Sequence, residues 1–193
     1  MTDLHAYLTE VAAEAARIAR GVPSGPEQLA APTPCAAWDT RALLNHWILY
    51  TSHGLEHRAR REQLPEELTA RDFTADPNWA EAYARQLDRA VAAWADPAVQ
   101  EGEIDLGYAR MPAAEIAAMI VKELAVHGWD VAGATGQEYR CGDALGEFVL
   151  GVVERHAEVY RQYEGFAAPV ELPGPGAPAF DRALALSGRT PRG

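Results

Sequence analysis

Apolar residues recur every three to four positions through five long stretches of this chain, and only a helix brings such positions to one side. In the first, Leu4, Leu8, Val11, Ala15 and Ile18 share a face while Glu10, Glu14, Arg17 and Arg20 turn away, which predicts a helix over 3–20. Gly21 and Pro23 stop it. Pro26, Pro32 and Pro34, with Gly25, keep the chain from being helical until Asp39, the N-cap expected for a second helix over about 40–60. The inner face of that helix reads Leu43, Trp47, Tyr50, Gly54 and His57, with Asn45, Ser52 and Glu56 facing away. Trp79, Tyr83, Leu87, Val91 and Trp94 mark a third helix that ends before Pro97. Glu101 to Arg110 reads as an irregular or briefly extended connection, and Pro112 opens a fourth helix over 112–134 that Gly136 closes. Leu145, Phe148, Val149, Val152, Val159 and Tyr163 give a fifth; a tail rich in Pro and Gly from Pro169 to Gly176 leads to a short last helix around Phe180 to Leu186. With no repeat and no strand alternation, the expectation is an all-α antiparallel bundle with one long crossover loop near 21–38 and an additional C-terminal helix. Residues 1–165 are expected to form the bundle, with the tail 166–193 part of the same domain.

Charge narrows the partners. Among 193 residues, 28 Asp and Glu outnumber 17 Lys and Arg, a formal net charge of −11, and no stretch gathers basic residues with aromatic neighbours. That composition speaks against nucleic acid and against an anionic membrane. The start of the chain has no basic n-region and the apolar runs are too short to span a bilayer, so a cytoplasmic location is expected. Cys35 and Cys141 lie far apart without CxxC spacing, which fits a reducing compartment and points to neither a disulfide framework nor a thiolate zinc site. Cys35 reads as a small buried residue, and Trp38 and Trp129 as packing residues rather than a substrate wall. Lys122, the sole lysine, suggests no function.

The chemistry concentrates on the fourth helix, where Ile116, Ile120, Glu123, His127 and Ala134 project within one narrow sector. A carboxylate on an apolar face needs a cation, a proton or a water-filled cavity, because burying it unpaired costs several kcal/mol. Glu123 and His127 at i and i+4 reach one ion from one helix. His46, on the flank of the second helix's inner face, is the best third ligand. Two imidazoles and one carboxylate leave a coordination position open, as in catalytic rather than structural zinc sites, and the same ligand set suits nickel, iron or manganese. The spacing alone also fits a hydrogen-bonded core pair. His53 and His57, likewise at i and i+4, form a rival pair, whereas His156 among Val149, Val152 and Val159 reads as a core histidine. Asp130, seven residues after Glu123, is placed either to accept a hydrogen bond from a ligand imidazole or simply to end the helix.

Two motifs carry a resemblance. Thr33-Pro34-Cys35-Ala36-Ala37-Trp38-Asp39-Thr40-Arg41-Ala42-Leu43-Leu44-Asn45-His46 and Glu123-Leu124-Ala125-Val126-His127-Gly128-Trp129-Asp130 resemble the DinB-like, mycothiol-dependent maleylpyruvate isomerase N-terminal domain family. The resemblance implies a four-helix core in which His46, Glu123 and His127 bind one divalent metal, usually zinc. It extends to Pro169-Val170-Glu171-Leu172-Pro173 and to Asp181 through Arg189, similar to the close of an actinobacterial-type subgroup described only as metal-binding. Ala36 stands where a proline is common, a loop change that leaves His46 unaffected. The isomerase carries a further C-terminal domain with a substrate-binding arginine, so maleylpyruvate isomerase activity itself is not expected, and neither Arg189 nor Arg192 is given that role.

The function implied is a metal-dependent enzyme that activates a low-molecular-weight thiol such as mycothiol, or water, for transfer or isomerisation on a small molecule. No catalytic acid or base is assigned. A metal- or small-molecule-binding protein without turnover, and a hydrolase using metal-bound hydroxide, are the alternatives. A monomer or homodimer is expected.

Overall fold

The computed structural model describes residues 4–23, 25–35, 38–172 and 176–191. Arg192, and Ala36 and Ala37 of the first motif, lie outside the described residues, as does the expected helix start at Asp3. The chain divides into two compact units, residues 1–139 and 140–193.

The first unit is built on four long helices. Helix α1, Leu4–Arg20, buries Leu8, Val11, Ala15 and Ile18 on the expected stripe. The proline-rich connection is not wholly irregular: Pro26–Leu29 forms one turn, α2, because proline at a first helical position has its fixed φ ready and no N–H to lose. Asp39 caps α3, Thr40–Ile48, by accepting a hydrogen bond from the Ala42 N–H at 2.8 Å. The helix then widens into a π-helical segment, Leu49–His53, before resuming as α4, Gly54–Ala59. The Gly54 N–H reaches back five residues to the Leu49 carbonyl, the signature of the wider turn.

That turn corrects the expected inner face. Ser52 and Glu56, expected to face away, are buried, and Tyr50 is 44% exposed. Buried positions include 43 and 44, 47 to 49, 51 and 52, and 54 to 56, a recurrence every four residues that an under-wound helix sustains. Thr51 and Ser52 hydroxyls return hydrogen bonds to the Trp47 and Ile48 carbonyls, and Thr51 also bonds the Tyr83 hydroxyl.

After α5, Glu66–Thr69, and a 3₁₀ turn over Phe73–Ala75, α6 spans Trp79–Ala93. The connection at 101–112 is a small hairpin, β1 Glu103–Asp105 against β2 Arg110–Pro112, antiparallel with Ile104 opposite Met111. Pro112 closes that strand and precedes α7, Ala113–Ala134, rather than opening the helix. Gly136 at φ +69° ends α7 by letting the Gln137 N–H reach the Ala132 carbonyl at 2.8 Å. Helix α1 packs on α6 and α7, and the α3–α4 helix packs on the same two from the other side, so the four close around Leu43, Trp47, Tyr83, Leu87 and Leu124. The all-α bundle with a long crossover is thus the fold of this unit.

In the second unit, α8, Asp143–Gln162, packs on α9, Ala179–Leu186. Gly146 makes that approach possible, since a Cβ there would stand 3.2 Å from the Phe180 backbone nitrogen. Val159 and Tyr163, expected on the inner face of this helix, are exposed. Among the described residues no helix is long and apolar enough to cross a membrane.

Candidate metal centre

Packing of α3 on α7 brings His46 over the turn of α7 that carries Glu123 and His127. Glu123 Oε2 lies 3.1 Å from His127 Nε2 and 3.6 Å from His46 Nε2, and one ligand atom from each of the three residues falls within 4.8 Å of the others. The imidazole centroids are 5.1 Å apart and nearly edge-on. Side chains of Glu123 and His127 retain only 19% and 12% exposure, so the cluster is shielded yet reachable.

Behind His127, Asp130 is fully buried one turn further on, its Oδ2 3.0 Å from Nδ1 of the ring. A ring that gives its Nδ1–H to a carboxylate presents a lone pair at Nε2, toward Glu123. Burial by itself lowers the His127 pKa; the hydrogen bonds and charges of Asp130 and Glu123 reverse this and raise it above its ordinary value. Burial likewise pushes the Glu123 carboxyl up, and Lys122 with the two imidazoles overcomes that, holding it well below the usual carboxylate range.

Sequence reasoning passed over Lys122. It is 2% exposed and its ammonium pairs with Glu123 Oε1, leaving Oε2 to the imidazoles. A lone lysine in an arginine-rich chain was the available signal, since an ammonium on a flexible stem fits where a guanidinium fork does not. The aromatic surroundings also depart from expectation. The Trp38 ring stands 4.4 Å from that of His46 and 5.7 Å from that of His127, and Tyr50 flanks His46 at 4.7 Å. Trp38 therefore borders the cluster. Cys35, half-exposed rather than buried, has its Sγ within 4.8 Å of ligand atoms on His127 and Asp130.

Among the described residues the rival pair enters no grouping of three or more possible ligands. The His53 ring stacks on Phe73 at 5.2 Å, whereas His57 Nδ1 faces Glu62 Oε2 at 3.3 Å. In the second unit, His156 is half-buried and edge-on to Tyr160.

A divalent cation fits the donor set: two nitrogen donors and one carboxylate oxygen converge, and one imidazole is already oriented by a carboxylate.

Fold and cluster together define a helical bundle with a His₂Glu grouping shared between two of its helices. The chain belongs to the mycothiol maleylpyruvate isomerase N-terminal domain family, whose model matches residues 8–132, a span holding all of His46, Glu123, His127 and Asp130. Its relatives include uncharacterized proteins from two strains of Mycobacterium tuberculosis, each 30% identical over 171 residues that cover 86% of this chain and 87% of the relative. No solved structure matches the chain.

Proposed function

We propose that His46, Glu123 and His127 hold one divalent cation, zinc in the first instance, and that the protein is an enzyme working on a small molecule with a low-molecular-weight thiol such as mycothiol as cosubstrate. The observation that carries this is the convergence of three donors from α3 and α7 with Asp130 already fixed behind one of them. A bound divalent cation with an open position lowers the pKa of a coordinated thiol or water and so supplies a nucleophile at neutral pH.

The chain's own groups do the rest. Asp130 holds the His127 tautomer, and Lys122 keeps Glu123 ionised and directs one carboxylate oxygen at the imidazoles. Trp38 and the partly exposed Tyr50 place aromatic surface beside His46, where it screens the site from water and offers a face to an apolar part of the substrate.

Metal analysis of the untagged protein, followed by thiol-transfer assays with and without mycothiol, tests the reading. One ion per chain and thiol-dependent turnover are expected. Metal content near zero after supplementation defeats the proposal, and metal without turnover on any thiol or hydrolysable substrate reduces it to a binding protein.

A further inference from the structure

Beyond the metal reading, and sharing no residue with its cluster, a second cleft opens beside the widened turn of the α3–α4 helix. Its volume is about 160 Å³. A cavity of about 150 Å³ accommodates benzene, so there is room for one six-membered ring. Ile48, Phe73, Trp79 and Tyr83, each under 10% exposed, supply apolar and aromatic walls.

The rim is cationic in a chain with an excess of acids. Arg71 and Arg89 both line the cleft, and among the described residues neither forms an ion pair. Arg71 lies over the Phe73 ring at 5.2 Å; Arg89 gives hydrogen bonds to the Arg85 carbonyl and the Gln86 side chain. Nearby carboxylates are engaged elsewhere. Asp72 accepts from Arg41, Asn45 and Thr74, while Glu56 accepts from Arg60 and Gln86. Asp76, the one acid in the lining, takes the Asn78 backbone N–H at 2.8 Å. His53 completes the wall with its ring stacked on Phe73. Burial first, and then the charge of Arg71, lower its pKa to about 4, so at neutral pH it adds a hydrogen-bonding nitrogen rather than a third charge.

We infer that this cleft binds a small aromatic carboxylate, its ring against Ile48, Trp79 and Tyr83 and its carboxylate between the Arg71 and Arg89 guanidiniums. A guanidinium fork matches a carboxylate in geometry as well as charge, and the apolar walls select a ring over a bare anion.

Benzoate titrated into the ¹⁵N-labelled full chain, with benzamide and inorganic phosphate as parallel probes, tests this. Benzoate should shift the amides of Ile48, Phe73, Trp79 and Tyr83 saturably, and benzamide, the same shape without charge, should bind about tenfold more weakly, as should benzoate to Arg71→Gln or Arg89→Gln. Both arginines are exposed, so the variants should fold, and the benzamide comparison needs no variant. Equal affinity for benzamide, phosphate binding as tight as benzoate, shifts centred on His46 and His127, or no saturable shift would each overturn the proposal.

Discussion

Two pairs of side chains stand one helical turn apart in this bundle, Glu123 with His127 on α7 and His53 with His57 on the α3–α4 helix, and their surroundings send them opposite ways. Asp130 and Glu123 raise the His127 pKa against the effect of burial. At His53, burial acts with Arg71, His57 and Arg89 to lower it to about 4, opposed by Glu56. One histidine is set among carboxylates and the other among cations. Spacing along a helix makes a pair available; what the neighbouring helix presents decides whether it becomes a cation site or a neutral wall.

The contrast breaks most directly at the ligands. His127→Ala should weaken zinc binding by about 100-fold or more and Asp130→Asn by about tenfold, while His53→Ala leaves it unchanged, all read by calorimetry. Equal losses at His53 and His127 would return the rival pair to contention. Zinc at a hundredfold excess over its dissociation constant should stabilise the protein by about 2.7 kcal/mol, seen as a raised Tm that His46→Ala abolishes. An unshifted Tm in the wild type would mean that no cation joins α3 to α7.

A smaller effect should come from Gly128. A Cβ there would stand 2.8 Å from Tyr139 Cε2 and 3.4 Å from Trp47, so Gly128→Ala should cost about 1–3 kcal/mol by overpacking, measurable in urea.

The acid response separates the two histidines by sign. Below pH 6.5 the unfolded chain protonates His53 while the native protein resists until about pH 4, so stability present above 6.5 is lost as pH falls through that window. His53→Gln should remove this part of the slope. His127 has the opposite sign: its raised pKa adds stability below 6.5 that is lost as pH rises through the folded value. NMR titration of the metal-free protein should place the two imidazoles on opposite sides of 6.5.

Much of this was legible in the chain. Leu8, Val11 and Ile18, or Tyr83 and Leu87, follow the helical repeat because one face of each helix must leave water, and the same repeat placed Glu123 and His127 together. The widened turn was not legible, since Leu49–His53 contains no residue that demands it, and Tyr50, Ser52 and Glu56 were misplaced as a result. Strands of three residues give too little alternation to read. Lys122 and the arginine cleft escaped for another reason: one depends on how a stem bends back to its neighbour, and the other joins residues from Ile48 to Arg89 that meet only in the folded bundle.

The widened turn leaves the long second helix with two phases. One additional residue rotates everything beyond it by about 100° relative to an uninterrupted helix, so the half that carries His46 is indexed to α7 and the half beyond, through α4, chiefly to α6. Deletion of a single residue between Leu49 and His53 would rotate the half beyond it by about 100° and so turn the α4 face away from α6.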